Sequence, residues 1–284
     1  KIEFNKSKKI ELNYSLKTSF SDASKFANRF YLQSYNSVFK GNEEIENNLF
    51  HSARIYYSRF SLYRGLMLFA NLNYNKQLRG IRNTVDFNDI NQFLTVKMFN
   101  NPSEDWRGNI NLQKSINNLK YKVDVGFNNS KYIQELNNNI QTNTNNNYDY
   151  QFGVETLFDK FPKIEVGFKR TIGNFTASTN TSKFVTTEPF LTVDYDFSKG
   201  FIFNFDYRKS NYQNKTLGQK NTYEIANATL SYKGENSAWS YKITAQNLLN
   251  AKFKQSNSFS DFLISDSKTF ILPRIILFSV AYNL

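Results

Sequence analysis

Side chains capable of acid–base, nucleophilic or metal chemistry are sparse in this sequence of 284 residues. It contains no cysteine and one histidine, His51, so a thiolate metal site is excluded and a serine–histidine–acid triad would depend on that single imidazole. The segment DFNDIN, 86–91, has oxygen ligands at alternate positions but lacks the glycine and the distal glutamate of a calcium-binding loop. We therefore expect no catalytic activity, no cofactor and no bound metal.

The charged side chains that remain alternate with apolar ones. In KGFIFNFDYRKSN, 199–211, aromatic residues occupy every second position, and Asn, Asp and Arg lie between them. An extended strand directs successive side chains to opposite faces, so each such segment has an apolar and a polar face. We predict that the polar faces form one wall of ion pairs and hydrogen bonds. The candidate members of this wall are Asp124, Glu165, Lys169, Asp194, Asp196, Asp206 and Arg208.

Alternation of this kind extends over nearly the whole chain and predicts long β-strands, whereas helical spacing is almost absent. Four prolines and 11 glycines leave the extended segments largely uninterrupted. About twelve strands are predicted, near 8–20, 48–60, 66–79, 106–116, 119–133, 148–158, 163–176, 187–198, 200–213, 221–233, 238–248 and 270–284.

The connections between these strands alternate in length. Five are short, at 61–65, 117–118, 159–162, 198–200 and 233–238, and they all fall at one end of the predicted strands. The long ones, at the other end, are 21–47, 80–105, 134–147, 177–186, 214–220 and 249–269. This parity is typical of an outer-membrane β-barrel, with short periplasmic turns and long extracellular loops. The alternative, a soluble β-sandwich, also alternates but has strands nearer five or six residues long.

The composition fits a membrane barrel better than the mean hydropathy of −0.58 suggests. A barrel strand places lipid-facing residues at every second position only, so its average hydropathy is low, and its backbone must be fully paired within the sheet. We find no run of about 18 apolar residues, so a transmembrane helix is excluded. The net charge of +12 comes from scattered lysines, which does not favour nucleic-acid binding. Outer-membrane lipids are the expected surroundings, and the bacterial outer membrane the expected location.

Two long loops are rich in aromatic residues and arginine, a composition that suits recognition of sugars, peptides or anionic chelates. The same aromatic residues could equally pack the loops against one another. They are Phe26, Phe30, Tyr31, Tyr35 and Phe39 with Arg29 in 21–47, and Phe87, Phe93 and Phe99 with Arg79 and Arg82 in 80–105.

The last segments resemble one family. WSYKITAQNLLNAKF, 239–253, resembles the penultimate strand and following asparagine motif of TonB-dependent outer-membrane receptors, and LPRIILFSVAYNL, 272–284, resembles their closing strand. Segments 27–47, 101–115 and 257–274 are similar to the Bacteroidota branch of that family. The alternating Phe278, Val280, Tyr282 and Leu284 resemble the C-terminal signal read by the barrel-insertion machinery, with leucine where phenylalanine is usual.

The resemblance implies a barrel of 22 strands closed around an N-terminal plug. Residues 1–284 would then be the C-terminal part of the barrel domain, with the plug domain absent from this chain. The implied function is substrate uptake through a plugged barrel, driven by a TonB-type energy transducer that acts on the plug. Two alternatives are a structural barrel subunit of a larger outer-membrane complex, joined by a surface lipoprotein or by further barrel strands, and a passive porin.

Overall fold

The computed structural model describes residues 2–5, 7–177, 180–259 and 264–283. These residues are almost entirely β-structure, with one 3-10 turn at Ala23–Lys25. None of them belongs to a helix long and apolar enough to cross a membrane.

Seventeen strands are present in the described ranges, many of them longer than ten residues. The first nine are β1 Ile2–Asn5, β2 Lys8–Ser19, β3 Phe30–Ser34, β4 Ser37–Lys40, β5 Asn48–Ser61, β6 Leu66–Asn88, β7 Asn91–Ile116, β8 Leu119–Leu136 and β9 Asn139–Thr156. The others are β10 Lys163–Thr176, β11 Thr181–Ser198, β12 Phe201–Asn214, β13 Gln219–Lys233, β14 Trp239–Gln246, β15 Phe253–Phe259, β16 Ile264–Phe270 and β17 Ile275–Tyr282.

One large antiparallel sheet dominates the fold. Its order is β1-β2-β5-β6-β7-β8-β9-β10-β11-β12-β13-β14-β17, so most strands pair with their neighbours in sequence. All twelve predicted strands are found in it, as β2, β5 to β14 and β17. Between the described residues of β1 and β17 there is no pairing, so the sheet is open, with these two strands at its edges. β15 and β16 form a separate two-stranded sheet.

Several of the predicted long loops are wrong, because β-structure continues through them. β6 and β7 extend through 80–105 and turn at Asp89, while β8 and β9 extend through 134–147. The turn between β8 and β9 consists of Asn137 and Asn138, both at positive φ, 48° and 60°. Two consecutive left-handed residues define the tight hairpin turn that matches strand twist, and asparagine tolerates this conformation well.

An irregularity divides the β6–β7 hairpin into two halves with different neighbours. The ladder is interrupted between Gln77 and Arg79 on β6 and skips Pro102 and the residue before it on β7. Below this bulge β7 pairs with β8, but above it β7 pairs in parallel with β4, and Val85 of β6 pairs with Leu136 of β8. The hairpin therefore exchanges its two sides as it leaves the main sheet, as bulges near a sheet rim allow.

The upper half of this hairpin, 79–100, forms a small layered unit with β3, β4 and the 3-10 turn, which we term the cap. Asn36 and Asn42 tie the cap together by donating from their amides to the carbonyl oxygens of Ile90 and Val96, at 2.6 and 3.1 Å. The cap contains the main cluster of buried apolar side chains in the described residues. Its members are Phe39, Ile45, Ile81, Val85, Leu94 and Val96.

Gly167 leaves room for an aromatic ring, that of Phe190 on the neighbouring strand. A Cβ added to Gly167 of β10 would lie 2.3 Å from Cζ of Phe190 and 2.6 Å from the carbonyl oxygen of Phe152, so there is no space for a methyl group. Gly126 of β8, on the same face, would find its nearest atom 3.8 Å away. The phenyl ring lying across Gly167 covers backbone that a strand glycine would leave bare.

We expect Gly167→Ala to destabilise the protein by about 1–3 kcal/mol, because the methyl group meets backbone that cannot move aside. Gly126→Ala is the matched control and should be neutral or stabilise by about 0.4–1 kcal/mol, since it restricts the unfolded chain without a clash. Urea unfolding midpoints of both variants, measured under the same conditions, give the difference. Equal midpoints would show that the Phe190–Gly167 contact is absent.

Candidate functional site

The main sheet has one apolar face, which the described chain leaves largely uncovered. Ile110 is 47% exposed and Val166 is 50% exposed, although both lie in central strands. Strand register joins such residues into continuous rows, since Leu112 opposes Val123, Val123 opposes Phe152, and Phe152 opposes Phe168. Soluble monomers rarely expose contiguous apolar patches larger than a few hundred Å².

Aromatic side chains mark both ends of the apolar face. At the end away from the short turns, the rings of Tyr74 and Trp106 lie 4.3 Å apart on β6 and β7. At the short-turn end, Trp239 of β14 lies 4.8 Å from Tyr282 of β17. Phe201 and Tyr232 form a further pair at that end, 4.4 Å apart. Along β6 the apolar face runs from Leu66 to Tyr74, roughly 30 Å of extended chain.

The apolar face runs obliquely to the strands. A row of residues that pair across successive strands starts at Leu66, the first residue of β6. The same row ends at the middle of β12. This row is Leu66, Lys114, Tyr121, Val154, Val166, Leu191 and Tyr207. Its one charge, Lys114, donates from Nζ to the carbonyl oxygen of Arg64 in the short turn. Apolar side chains therefore follow a band that is tilted against the strands, as strands are tilted against the axis of a barrel.

The opposite, polar face carries all seven predicted wall residues. Register aligns Asp124 with Gln151 and Gln151 with Lys169, and it aligns Glu165 with Thr192 and Thr192 with Asp206. Asp194, Asp196 and Arg208 alternate with the apolar residues of β11 and β12 and so lie on this face as well.

Of the predicted ion pairs and hydrogen bonds, hydrogen bonds from amides predominate on these carboxylates. Asn111 donates to Asp124 at 2.5 Å, Asn204 to Asp194 at 2.7 Å, and Asn227 to Asp206 at 2.9 Å. Glu165 alone of the seven forms an ion pair within the described ranges, with Lys122 at 2.8 Å. An asparagine beside an aspartate on a sheet gives a hydrogen bond without bringing a second charge out of water.

A cluster that the sequence did not predict surrounds Glu155 on β9. The Glu155 carboxylate is 1% exposed and accepts from Lys120 and Lys163, each at 3.1 Å, and it also pairs with Lys122. Lys122 bridges to Glu165 and so joins three strands. The partners are separated from Glu155 by up to 35 residues along the chain, so only the strand register reveals the cluster.

A cavity of about 200 Å³ lies beside this cluster on the polar face. Three of the predicted wall residues, Glu165, Lys169 and Arg208, line it together with Glu188 and Phe190. The remaining predicted residues lie elsewhere on the face, and Asp206 lines a separate, more open concavity with Lys242.

The aromatic residues of the two predicted loops divide between packing and exposure. Phe39 is buried in the cap, and Phe26 packs against the same cluster. By contrast, Phe30 and Tyr35 are exposed, Tyr35 at 88%. Packing thus accounts for part of the aromatic content.

Two of the three arginines of these loops have partners within the chain. Arg79 pairs with Glu46, and the guanidinium of Arg82 lies 4.5 Å from the ring centre of Tyr132. These contacts connect the top of β6 to the segment before β5 and to β8.

The asparagine motif NLLN, 247–250, fixes the end of β14. Asn247 lies at φ 50°, donates its amide to the carbonyl oxygens of Ala251 and Leu272, and accepts from the backbone N–H of Ala251. It therefore holds the chain where it leaves β14 against the segment that returns to β17.

The predicted insertion signal lies on β17. Phe278, Val280 and Tyr282 alternate on the apolar face, paired by register with Ile243, Tyr241 and Trp239, whereas Leu284 lies outside the described residues.

No metal site is evident in the described part of the chain, where no three or more His, Cys, Asp and Glu side chains form a group that could hold an ion. His51 accepts from or donates to the hydroxyl of Tyr14 through Nδ1 at 2.5 Å, on the apolar face near the edge of the sheet. Comparison of the chain with known protein families, with curated proteins and with solved structures finds no match.

We expect Glu155→Gln to destabilise the protein by about 2 kcal/mol, because three lysines then face one another around a neutral amide. Glu188→Gln makes the same change of charge on the same face but removes no ion pair, and it should stay within about 0.5 kcal/mol. Urea unfolding at low ionic strength measures both. A smaller cost for the first variant than for the second would contradict the assigned network.

Proposed function

We propose that this chain forms part of the wall of a transmembrane β-barrel in the bacterial outer membrane, in a transporter of the TonB-dependent-receptor type. The observation that carries the proposal is the uncovered apolar face, which runs from Leu66 to Tyr74 along β6 and has aromatic pairs at both ends. Those dimensions match what a tilted strand needs to cross the hydrocarbon core, and aromatic girdles mark both interfaces of such barrels.

A soluble fold would have to cover this face with a second sheet or with helices. In the described ranges the one other sheet is the β15–β16 hairpin, which is too small to cover faces of twelve strands. Each exposed apolar side chain in water forgoes about 25 cal/mol per Å² of the stabilisation that burial gives. Hydrocarbon removes that cost without any further protein layer, and the paired backbone meets the requirement that lipid imposes on polar groups.

The two open edges support a partner that supplies more strands. β17 pairs on one side with β14, and its other side, like that of β1, has no strand beside it in the described ranges. Unpaired N–H and C=O groups cost several kcal/mol each in hydrocarbon, so a membrane-spanning sheet closes on itself. We propose that further strands, from the same polypeptide or from a partner chain, complete the barrel, in keeping with the 22-strand resemblance.

The resemblance of 239–253 and 272–284 to the closing strands of the receptors favours transport over the alternatives. It is a resemblance in sequence and does not identify a substrate site. A structural subunit capped by a surface lipoprotein would use the same wall, with the exposed aromatic residues of the cap as its contact. A passive porin would use the polar face as an unplugged channel.

We expect Ile110→Lys to destabilise the membrane-inserted protein by about 2–4 kcal/mol, because it places a charge near the middle of the lipid-facing band. Asn109→Lys is the matched control, since Asn109 is the preceding, equally accessible residue on the polar face. It should change the stability by no more than about 0.5 kcal/mol. Urea unfolding from phospholipid vesicles measures both variants.

Equal tolerance of the two lysines would contradict the membrane proposal. In water an exposed isoleucine can be replaced by lysine at little cost, so a soluble protein would show no difference between the two faces.

Transport through a plugged barrel predicts little steady ion conductance when the full-length protein is reconstituted in planar bilayers without an energy source. Steady conductance would instead favour the passive porin. The coding sequence upstream separates the other two readings: a plug with an energy-coupling box supports energised transport, and a full-length protein without one supports the structural subunit.

A further inference from the structure

The polar cavity beside Glu155 gathers charged side chains that have no ionic partner among the described residues. Lys169, Glu188 and Arg208 all line it, and none of the three forms an ion pair with another described residue. The fourth charge at its rim, Glu165, is already paired with Lys122 at 2.8 Å. Two cations and one carboxylate are thus left to act on whatever occupies the cavity.

Two glycines of the polar face lie next to residues that line this cavity. Gly153 of β9 lies directly opposite Gly167 of β10, so two neighbouring strands lack side chains at the same level. The ring of Phe190 lies across Gly167 and forms an apolar wall on one side. The site therefore offers about 200 Å³, and among its lining residues the Phe190 ring is the one apolar side chain beside the charged groups.

Positions on neighbouring strands set the arrangement of the charges. Lys169 opposes Glu188 across β10 and β11, and Phe190 opposes Arg208 across β11 and β12. Arg208 is displaced along the strands by two residues from the level of Glu188. Because Glu188 is on the middle strand, β11, its carboxylate lies between Lys169 on β10 and Arg208 on β12. A guanidinium binds a carboxylate through two parallel hydrogen bonds, and an ammonium binds one as a compact charge.

We propose that this cavity binds a small zwitterion with two carboxylates and one ammonium group, of the acidic amino-acid class. Arg208 receives one carboxylate, Lys169 the other, and Glu188 the ammonium, while the methylene groups of the solute pack on Phe190. The net charge of these three side chains, +1, is balanced by the −1 of such a solute. The inference rests on the proposed function, since it requires the polar face to line a water-filled interior.

Calorimetric titration of the full-length protein in lipid nanodiscs with L-glutamate tests the inference. We expect saturable binding that weakens roughly tenfold or more in Arg208→Gln and in Lys169→Gln, the usual effect of removing a hydrogen bond to a charged group. Lys242→Gln is the matched control, since Lys242 is a cation of the polar face that lines a different concavity. It should bind L-glutamate as the unchanged protein does.

Two analogues distinguish a zwitterion site from a simple anion site. Glutarate lacks the ammonium group and 1,5-diaminopentane lacks the carboxylates, so both should bind more weakly than L-glutamate. Glu188→Gln should reduce the affinity for L-glutamate and leave that for glutarate unchanged or higher. Equal binding of glutarate and L-glutamate, or an equal loss in Lys242→Gln, would overturn the inference.

Failure of this inference is distinguishable from failure of the proposed function. If L-glutamate does not bind while Ile110→Lys and Asn109→Lys differ in vesicles, the cavity assignment is wrong and the membrane proposal stands. If the two lysine variants behave alike as well, both proposals are wrong.

Discussion

Continuous hydrogen bonding between consecutive antiparallel strands is the constraint on which the other features of this protein depend. Because each strand of the main sheet pairs with its neighbour at a fixed register, the side chains of these strands are each assigned to one of two faces. A shift of one residue in any pair would bring the apolar side chains of one strand among the charges of the next. The Glu155 cluster and the aromatic pairs both follow from this register, although they lie on opposite faces.

The strands were predictable from the sequence because alternation is a local signal. Phe201 to Tyr207 in β12 and Tyr121 to Phe127 in β8 fix their faces without reference to any other part of the chain. The ends of the hairpins that lie away from the short turns could not be predicted in this way. Asparagine-rich segments such as 139–147 have the composition of loops, although they form strand. The one signal for the tight turn was the pair Asn137 and Asn138, which adopt the left-handed conformation. The chain contains many other consecutive asparagines, so this pair does not stand out in the sequence.

The polar site was predictable in part. Seven wall residues were found because charge alternates with apolar side chains, but the pairing among them depends on register, which the sequence does not specify. Glu155 was missed since its partners lie on β8 and β10 rather than nearby in sequence. The exchange of neighbours in the β6–β7 hairpin was missed as well, because a bulge leaves no pattern beyond a proline such as Pro102. The core of the cap lies beyond the bulge, where the strands have exchanged neighbours. Its residues therefore could not be identified from periodicity.

The open edges of the sheet have a consequence for contacts between copies of the chain. β17 exposes apolar side chains on both of its faces, with Phe278 at 66% and Leu277 at 50%, next to backbone groups that have no strand partner in the described part of the chain. Such an edge is a template on which a second copy of the chain can add its own strand, and the product would grow by repetition. Self-association through β17 would therefore rise with the concentration of the chain, and any contact that covers this edge would suppress it.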